Sequence, residues 1–192
     1  LGSGGSVGRS RGRCFLHLGG GRGGADIRPD PVGHDRAGIT RFAMNVVIFG
    51  CGRTGATLAL TLAANHQVTI VEQNPEALRR LGYKHNCKVV VGSGLDEEVL
   101  KRAGIEKGDA FFAVTRGDNT NLMAAQLASI KYQVGKVCIK VADPHRADAY
   151  RNLGYHCITP SALLAGMMRD WITGAPYSSI DQYNILPKEL EL

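Results

Sequence analysis

The chain has 192 residues, 44% of them apolar, and a formal charge of +6, which is enough for one domain with a full core. No apolar run approaches the roughly 18 residues of a membrane-spanning helix, and five cysteines without a Cys-x-x-Cys pair suggest neither a disulfide framework nor a zinc site. The charge is concentrated at one end: residues 1–43 hold 12 of the 25 glycines and seven Arg against three Asp, hence +4 of the +6, so the basic balance is poor ground for a nucleic-acid partner and none is expected.

That leading segment has no periodicity and is expected to be disordered. Its longest apolar stretch, Cys14-Phe15-Leu16-His17-Leu18, is short and contains a His, unlike the core of a signal peptide. An Arg-rich leader also suits a transit peptide or a partner-binding arm. The preferred expectation is that Met44 is the true start and that residues 1–43 are upstream sequence read through.

From Met44 onward the pattern alternates between apolar runs and helical periods. Strand 1 is expected at 45–50, a helix at 53–65 and strand 2 at 68–72. A second helix at 75–82 has Pro75 in its first turn and Gly82 at its end. Strand 3 follows at 88–92. The next helix, at 96–103, opens on Asp96-Glu97-Glu98, which suits the helix dipole. Strand 4 at 110–115 is apolar throughout, as a central parallel strand should be. A helix at 119–133, strand 5 at 136–141, a helix from Pro144 to near Gly154, strand 6 at 155–159 and a last helix at 160–172 complete the series. Residues 175–192 read as a polar tail with one apolar patch, Ile185-Leu186-Pro187. Six strands alternating with helices predict an α/β fold. It is a Rossmann-like, doubly wound parallel sheet of order 3-2-1-4-5-6 between two helical layers, spanning residues 44–174.

The first βαβ unit carries the chemistry. Strand 1 runs into Gly50-Cys51-Gly52-Arg53-Thr54-Gly55, and strand 2 ends on Glu72, 22 residues past Gly50. Gly50 permits the tight turn, Gly52 lets a pyrophosphate approach the backbone, and Gly55 lets helix and sheet pack closely. The helix N-terminus offers free N–H groups to phosphates. Glu72 stands where a dinucleotide site places the acid that binds ribose hydroxyls. The Arg53 guanidinium can reach a pyrophosphate. No Arg or Lys adjoins Glu72 in sequence, so a 2′-phosphate would meet a carboxylate without a cation. The expected ligand is NAD(H) or an adenosine nucleotide such as ATP or ADP, not NADP. Cys51 reads as a small spacer, and Cys138 and Cys157 as core residues of strands.

Further segments speak together: Val91-Gly92-Ser93-Gly94-Leu95-Asp96, Asp109-Ala110-Phe111-Phe112-Ala113-Val114-Thr115, Asp118-Asn119-Thr120-Asn121, Ala142-Asp143-Pro144 and Ile158-Thr159-Pro160-Ser161. With the glycine loop they closely resemble the N-terminal RCK (KTN, TrkA-N) domain of the TrkA/Ktr family, regulators of potassium uptake systems and channels. The resemblance covers about 44–173. It implies a nucleotide-sensing regulatory subunit, not an enzyme, in the cytoplasm against the inner face of the plasma membrane. It also implies a Trk/Ktr-type potassium-translocating membrane partner and assembly as a dimer or larger ring. Carried over by motif, Gly50, Gly52, Arg53, Thr54 and Gly55 would meet the phosphates and Glu72 the ribose. Ser93 and Gly94 would flank the adenine side, Thr115 would line the cleft across the switch point, and Lys140 would lie near the phosphates. Asn121 is either a ligand or a polar helix-start residue. The last helix would cross to a neighbouring subunit through Met167, Met168 and Trp171. Many relatives have Pro-Glu where this chain has Pro160-Ser161, so the inter-subunit cation or phosphate site of that Glu is not carried over. Most also add a C-terminal domain that residues 175–192 cannot supply.

Two rival readings stand beside this one. The same domain regulates cation antiporters and channels. An NAD-dependent oxidoreductase would need a proton donor, yet His85, His145, His156, Tyr150 and Tyr155 form no recognisable catalytic spacing. No metal ligand set is expected.

Overall fold

The computed structural model describes residues 43–186. The segment 1–42, expected to be a disordered leader, and Pro187 of the expected apolar patch lie outside the described residues.

Six parallel strands form one sheet: β1 (Asn45–Phe49), β2 (Gln67–Glu72), β3 (Lys88–Val91), β4 (Ala110–Ala113), β5 (Lys136–Lys140) and β6 (His156–Ile158). Their spatial order is β3-β2-β1-β4-β5-β6, as the alternation predicts, and the chain reverses direction across the sheet between β1 and β4. The apolar runs explain the register. Val46, Ile48 and Phe112 point to one face, and Val47, Phe49 and Phe111 to the other; both faces of β1 are buried.

The helices are α1 (Arg53–Leu62), α2 (Glu97–Ala103), α3 (Asp118–Gln126), α4 (Pro144–Asn152), α5 (Pro160–Thr173) and α6 (Ile180–Tyr183). Side-chain caps fix several starts. Asp96 accepts from the N–H groups of Glu98 and Val99, and Asp143 from those of His145 and Arg146. Two expected α-helices differ in winding. Residues Pro75–Leu81 form a 3-10 helix closed by i→i+3 bonds, Ala77 to Asn74 and Gly82 to Arg79. The long helix after β4 relaxes into a π turn at Leu127–Lys131, where the Tyr132 N–H reaches the Leu127 carbonyl and Ser129 Oγ bonds back to the Ala125 carbonyl.

The helical layers are unequal. On one face, α2, α3 and α4 pack against β1–β6, and Phe111, Ala113, Ile139 and Cys157 are almost fully buried. On the other, α1 and the 3-10 helix cover β1–β3. There Phe112, Cys138 and Ile158 remain only half-buried. The chief packing partner of α5 is α6, not the sheet.

The segment after α5 also departs from a plain tail. Tyr183 and Asn184 are buried. Asn184 Oδ1 accepts from the Thr159 N–H at 2.8 Å, and its Nδ2 donates to the Cys157 carbonyl at 2.7 Å. The polar composition of this stretch satisfies backbone groups at the open edge of β6 rather than solvent.

Candidate functional site

A cavity of about 730 Å³ opens at the carboxyl ends of the strands, where the winding reverses. Its walls come from five places. The end of β1 gives Phe49 and Gly50, and the start of α1 gives Gly52, Arg53 and Thr54. The end of β2 with the following 3-10 helix gives Glu72, Gln73, Asn74, Ala77 and Arg80. The β4–α3 loop and the first turn of α3 give Val114, Thr115, Arg116, Gly117 and Thr120, and β5 gives Lys140.

The three glycines of the loop have three separate reasons. Gly50 sits at φ +107°, and its N–H donates to the Val71 carbonyl at 2.8 Å. A Cβ on Gly55 would lie 1.9 Å from the Gly50 carbonyl oxygen, so only glycine permits this approach of α1 to the loop. A Cβ on Gly52 would meet nothing within 4 Å, so this residue leaves open space on the cavity side instead of relieving an internal clash. No side chain caps the N-terminus of α1, and its first turn holds no acid. Its N–H groups and positive dipole end are therefore available to an anion.

Glu72 braces this loop. Its Oε2 accepts from the Cys51 N–H at 2.6 Å and its Oε1 from the Asn74 N–H at 2.8 Å. One carboxylate thus ties the glycine loop to the chain leaving β2, and its remaining lone pairs can still accept ribose hydroxyls. Cys51 is fully buried, and burial, with the Glu72 carboxylate nearby, raises its thiol pKa. It is a packed spacer, not a reactive thiol.

Across the reversal point, Asn121 is fully buried and holds two strand ends together. Its Oδ1 accepts from the Thr115 N–H at 2.9 Å and from Thr115 Oγ1 at 2.6 Å, and its Nδ2 donates to the Lys140 carbonyl at 2.8 Å. Asp118, one turn earlier on α3, accepts from the N–H groups of Ala142 and Asp143 and so ties the start of α3 to the chain leaving β5. Asn121 therefore positions Thr115 and Lys140 and is absent from the cavity wall.

Arg53, Arg80, Arg116 and Lys140 face one carboxylate, Glu72, in this cavity. Among the described residues none of the four cations is ion-paired to a carboxylate. The site is built for a polyanion. Burial holds the Lys140 pKa below that of an ordinary lysine; Asp118 opposes this and Arg116 adds to it. A bound phosphate would favour the charged ammonium and reverse the shift. Affinity for a phosphorylated ligand is therefore expected to fall with rising pH, beginning below the range where a free lysine titrates. Lys140→Arg should abolish that slope, and titrations at several alkaline pH values would show it.

The structure brings Gly50, Gly52, Arg53, Thr54, Glu72, Thr115 and Lys140 to one cavity. Gly55 supports it from behind. Ser93 and Gly94 are not among its lining residues. Ser93 Oγ accepts from the Leu95 N–H in a local turn, and a Cβ on Gly94 would lie 2.4 Å from the Phe49 ring, so this pair seats the turn between β3 and α2 against the end of β1. Sequence reasoning missed Arg80 and Arg116. Arg80 qualifies the adjacency argument against a 2′-phosphate, because it lines the same cavity as Glu72 from eight residues further on. A signal existed: Arg116 directly follows Thr115, which was already placed at the cleft.

Comparison with known proteins agrees with this geometry. A family model described as the TrkA-N domain matches residues 46–160. The chain is 42% identical over 112 residues to the Trk system potassium uptake protein TrkA of Streptomyces coelicolor, covering 58% of this chain and 50% of that one. It thus spans about half the length of that relative. Among solved structures it resembles the Kef CTD of Shewanella denitrificans in its AMP-bound form, with TM-score 0.57, 22% identity and coverage of 72% of this chain and 85% of that one. It also resembles the GsuK channel bound to NAD, with TM-score 0.53, 23% identity and coverage of 73% and 25%. At these identities the two structures establish the fold alone.

Proposed function

The chain belongs to the TrkA-N domain family, and on that premise we propose that it is the nucleotide-sensing regulatory part of a potassium transport system. It binds NAD(H) or ATP/ADP and gates a Trk/Ktr-type potassium-translocating membrane subunit. The observation that carries this reading is the cavity at the reversal point, where a Glu72-braced glycine loop and an uncapped helix N-terminus meet four cations that, among the described residues, are ion-paired to no carboxylate.

The glycine loop and α1 take the pyrophosphate, Glu72 takes the ribose hydroxyls, and Arg116 and Lys140 take the far phosphate end. Glu72 favours a free 2′-hydroxyl over a 2′-phosphate, which sets NADP apart even with Arg80 in the wall. A sensor needs no turnover, and none of His85, His145, His156, Tyr150 or Tyr155 lines the cavity; this supports a non-enzymatic role. Gating follows from differential affinity. Ligands with different phosphate ends pull differently on the α1 loop and on the β4 and β5 ends, and so favour different subunit arrangements.

The apolar stripe of α5 supports assembly. Leu164, Met167, Met168, Trp171 and Ile172 recur at helical spacing on one side of α5, and Trp171 is 72% exposed. This stripe pairs with a second copy of the chain in a dimer or higher ring. No helix among the described residues is long and apolar enough to cross a membrane, which fits a peripheral part on the cytoplasmic face.

Vesicles holding the translocating subunit test the proposal. With this chain added, potassium flux should change between ADP and NADH, and the change should vanish with Glu72→Ala. Flux indifferent to nucleotide in the presence of the bound chain would contradict it.

A further inference from the structure

The adenosine end of the cavity lacks one of its expected walls. The turn after β3 packs behind it: a Cβ on Gly94 would meet the Phe49 ring at 2.4 Å, and neither Ser93 nor Gly94 lines the space. Beyond Glu72 the lining residues on this side are Gln73, Asn74, Ala77 and Arg80. A base attached to a ribose held by Glu72 therefore lies along the segment that follows β2.

The winding of that segment sets the face it offers. Runs of 3-10 helix beyond about four residues are uncommon, and Pro75–Leu81 has seven. Three residues per turn bring side chains at i and i+3 into line, so Arg80 stands directly in register with Ala77. An α-helix would turn the pair about 60° apart. Asn74, the N-cap, opens the same row. Its N–H donates to Glu72 Oε1 at 2.8 Å and its Oδ1 accepts from the Glu76 N–H at 3.0 Å, which fixes the row to the residue that meets the ribose. Arg80 Nη1 donates to the Ala77 carbonyl at 3.3 Å, which draws the guanidinium back along the helix edge over the small Ala77. Its neighbour Arg79 pairs with Glu76 at 3.0 Å and lines no part of the cavity. The charge of Arg80 is felt in the glycine loop, where burial and Glu72 raise the Cys51 thiol pKa and Arg80 opposes the rise.

We propose that Arg80 is the base platform of the site: its guanidinium plane stacks on the adenine of the nucleotide whose ribose Glu72 holds. This rests on the nucleotide reading above and gives Arg80 a role separate from that of Arg53, Arg116 and Lys140. A guanidinium is planar, delocalised and weakly hydrated, so it lies flat on a base face in a way that a compact ammonium does not. Stacking is indifferent to the number of phosphates on the ligand, whereas a cation in the phosphate path is not.

Arg80→Ala and Arg80→Lys in the full chain, titrated calorimetrically with AMP, ADP, ATP, NADH and NADPH, test the assignment. Arg80 is exposed and bonded within its own helix, so both variants keep the wild-type fold. Arg80→Ala is expected to weaken AMP, ADP, ATP and NADH by one common factor of about tenfold. Arg80→Lys keeps the charge and loses the plane, and should recover little of that loss. A loss that grows from AMP to ATP and is restored by lysine makes Arg80 a phosphate cation and overturns the proposal. A loss confined to NADPH makes it a receptor for the 2′-phosphate and overturns it as well. Unchanged affinity in both variants overturns the platform and leaves the nucleotide reading intact. A folded wild type that binds none of the five overturns both.

Discussion

Gly55→Ala is expected to destabilise the domain by about 3 kcal/mol and to remove nucleotide binding with it. The new Cβ would stand 1.9 Å from the Gly50 carbonyl oxygen and 3.0 Å from Val114 Cγ2. Neither contact can give easily. Gly50 is held at φ +107° by its bond to the Val71 carbonyl, and Val114 is bonded through its N–H to the Phe49 carbonyl. The start of α1 must therefore move away from the sheet, an overpacking whose usual cost is ~1–3 kcal/mol and sometimes more. Gly52→Ala is the informative companion. Its Cβ meets nothing and its φ of −72° suits any residue, so stability should change by less than about 1 kcal/mol. The methyl would instead occupy the approach of a pyrophosphate. Denaturant unfolding and ligand titration on the two variants should separate: Gly55→Ala loses both stability and binding, whereas Gly52→Ala loses binding alone. A Gly52→Ala protein that binds as well as the wild type would mean that phosphate does not lie against this turn.

Glu72→Ala should weaken an adenosine ligand at least tenfold and also loosen the empty protein. The carboxylate now accepts two backbone N–H groups, from Cys51 and Asn74. Hydrogen bonds to charged groups are each worth ~1.5–3 kcal/mol. Glu72 is only partly buried, and water will replace it in part, so a loss of about 2 kcal/mol is the reasonable expectation. Glu72→Gln distinguishes bracing from recognition. Its single carbonyl oxygen can keep one of the two N–H partners, while its amide nitrogen faces the other donor. Intermediate stability with near-complete loss of affinity would assign the larger share of the residue's role to the ligand. Equal, proportionate losses would assign it to the loop.

The parts of this architecture that were legible in the sequence share one property: they are local and apolar, or local and glycine-bearing. Runs such as Ala110–Ala113 can only be central strands, and once six strands alternate with helices the right-handed crossover rule leaves few arrangements. Gly50, Gly52, Gly55 and Glu72 could be assigned because turn, approach, packing and acid follow a fixed spacing. What stayed hidden depends on where a side chain reaches. Arg80 enters the cavity because the segment after β2 winds as a 3-10 helix, a detail that periodicity does not encode. The Ser93-Gly94 pair is motif-perfect yet packs against Phe49, because close approach of a turn to a packed ring and close approach of a ligand both call for glycine. Asn121 was open between ligand and helix start. Only the register of β4 and β5 brings the ends of both strands to one amide. The role of the segment after α5 was hidden by its composition, since Tyr183 and Asn184 look solvated until the backbone groups they satisfy are known. The stripe on α5 was visible, and its direction, away from the sheet that precedes it, was not.

The account rests on one claim, that the cavity binds an adenosine nucleotide and does not consume it. Calorimetric titration of the chain with ADP, ATP, NAD, NADH and NADPH, with Glu72→Ala in parallel, tests it directly. The expected result is saturable binding of at least one of the first four, weaker NADPH binding, at least a tenfold loss in the variant and full recovery of unchanged ligand. No binding by any of the five to a folded protein, or steady conversion of the ligand during the titration, would contradict it.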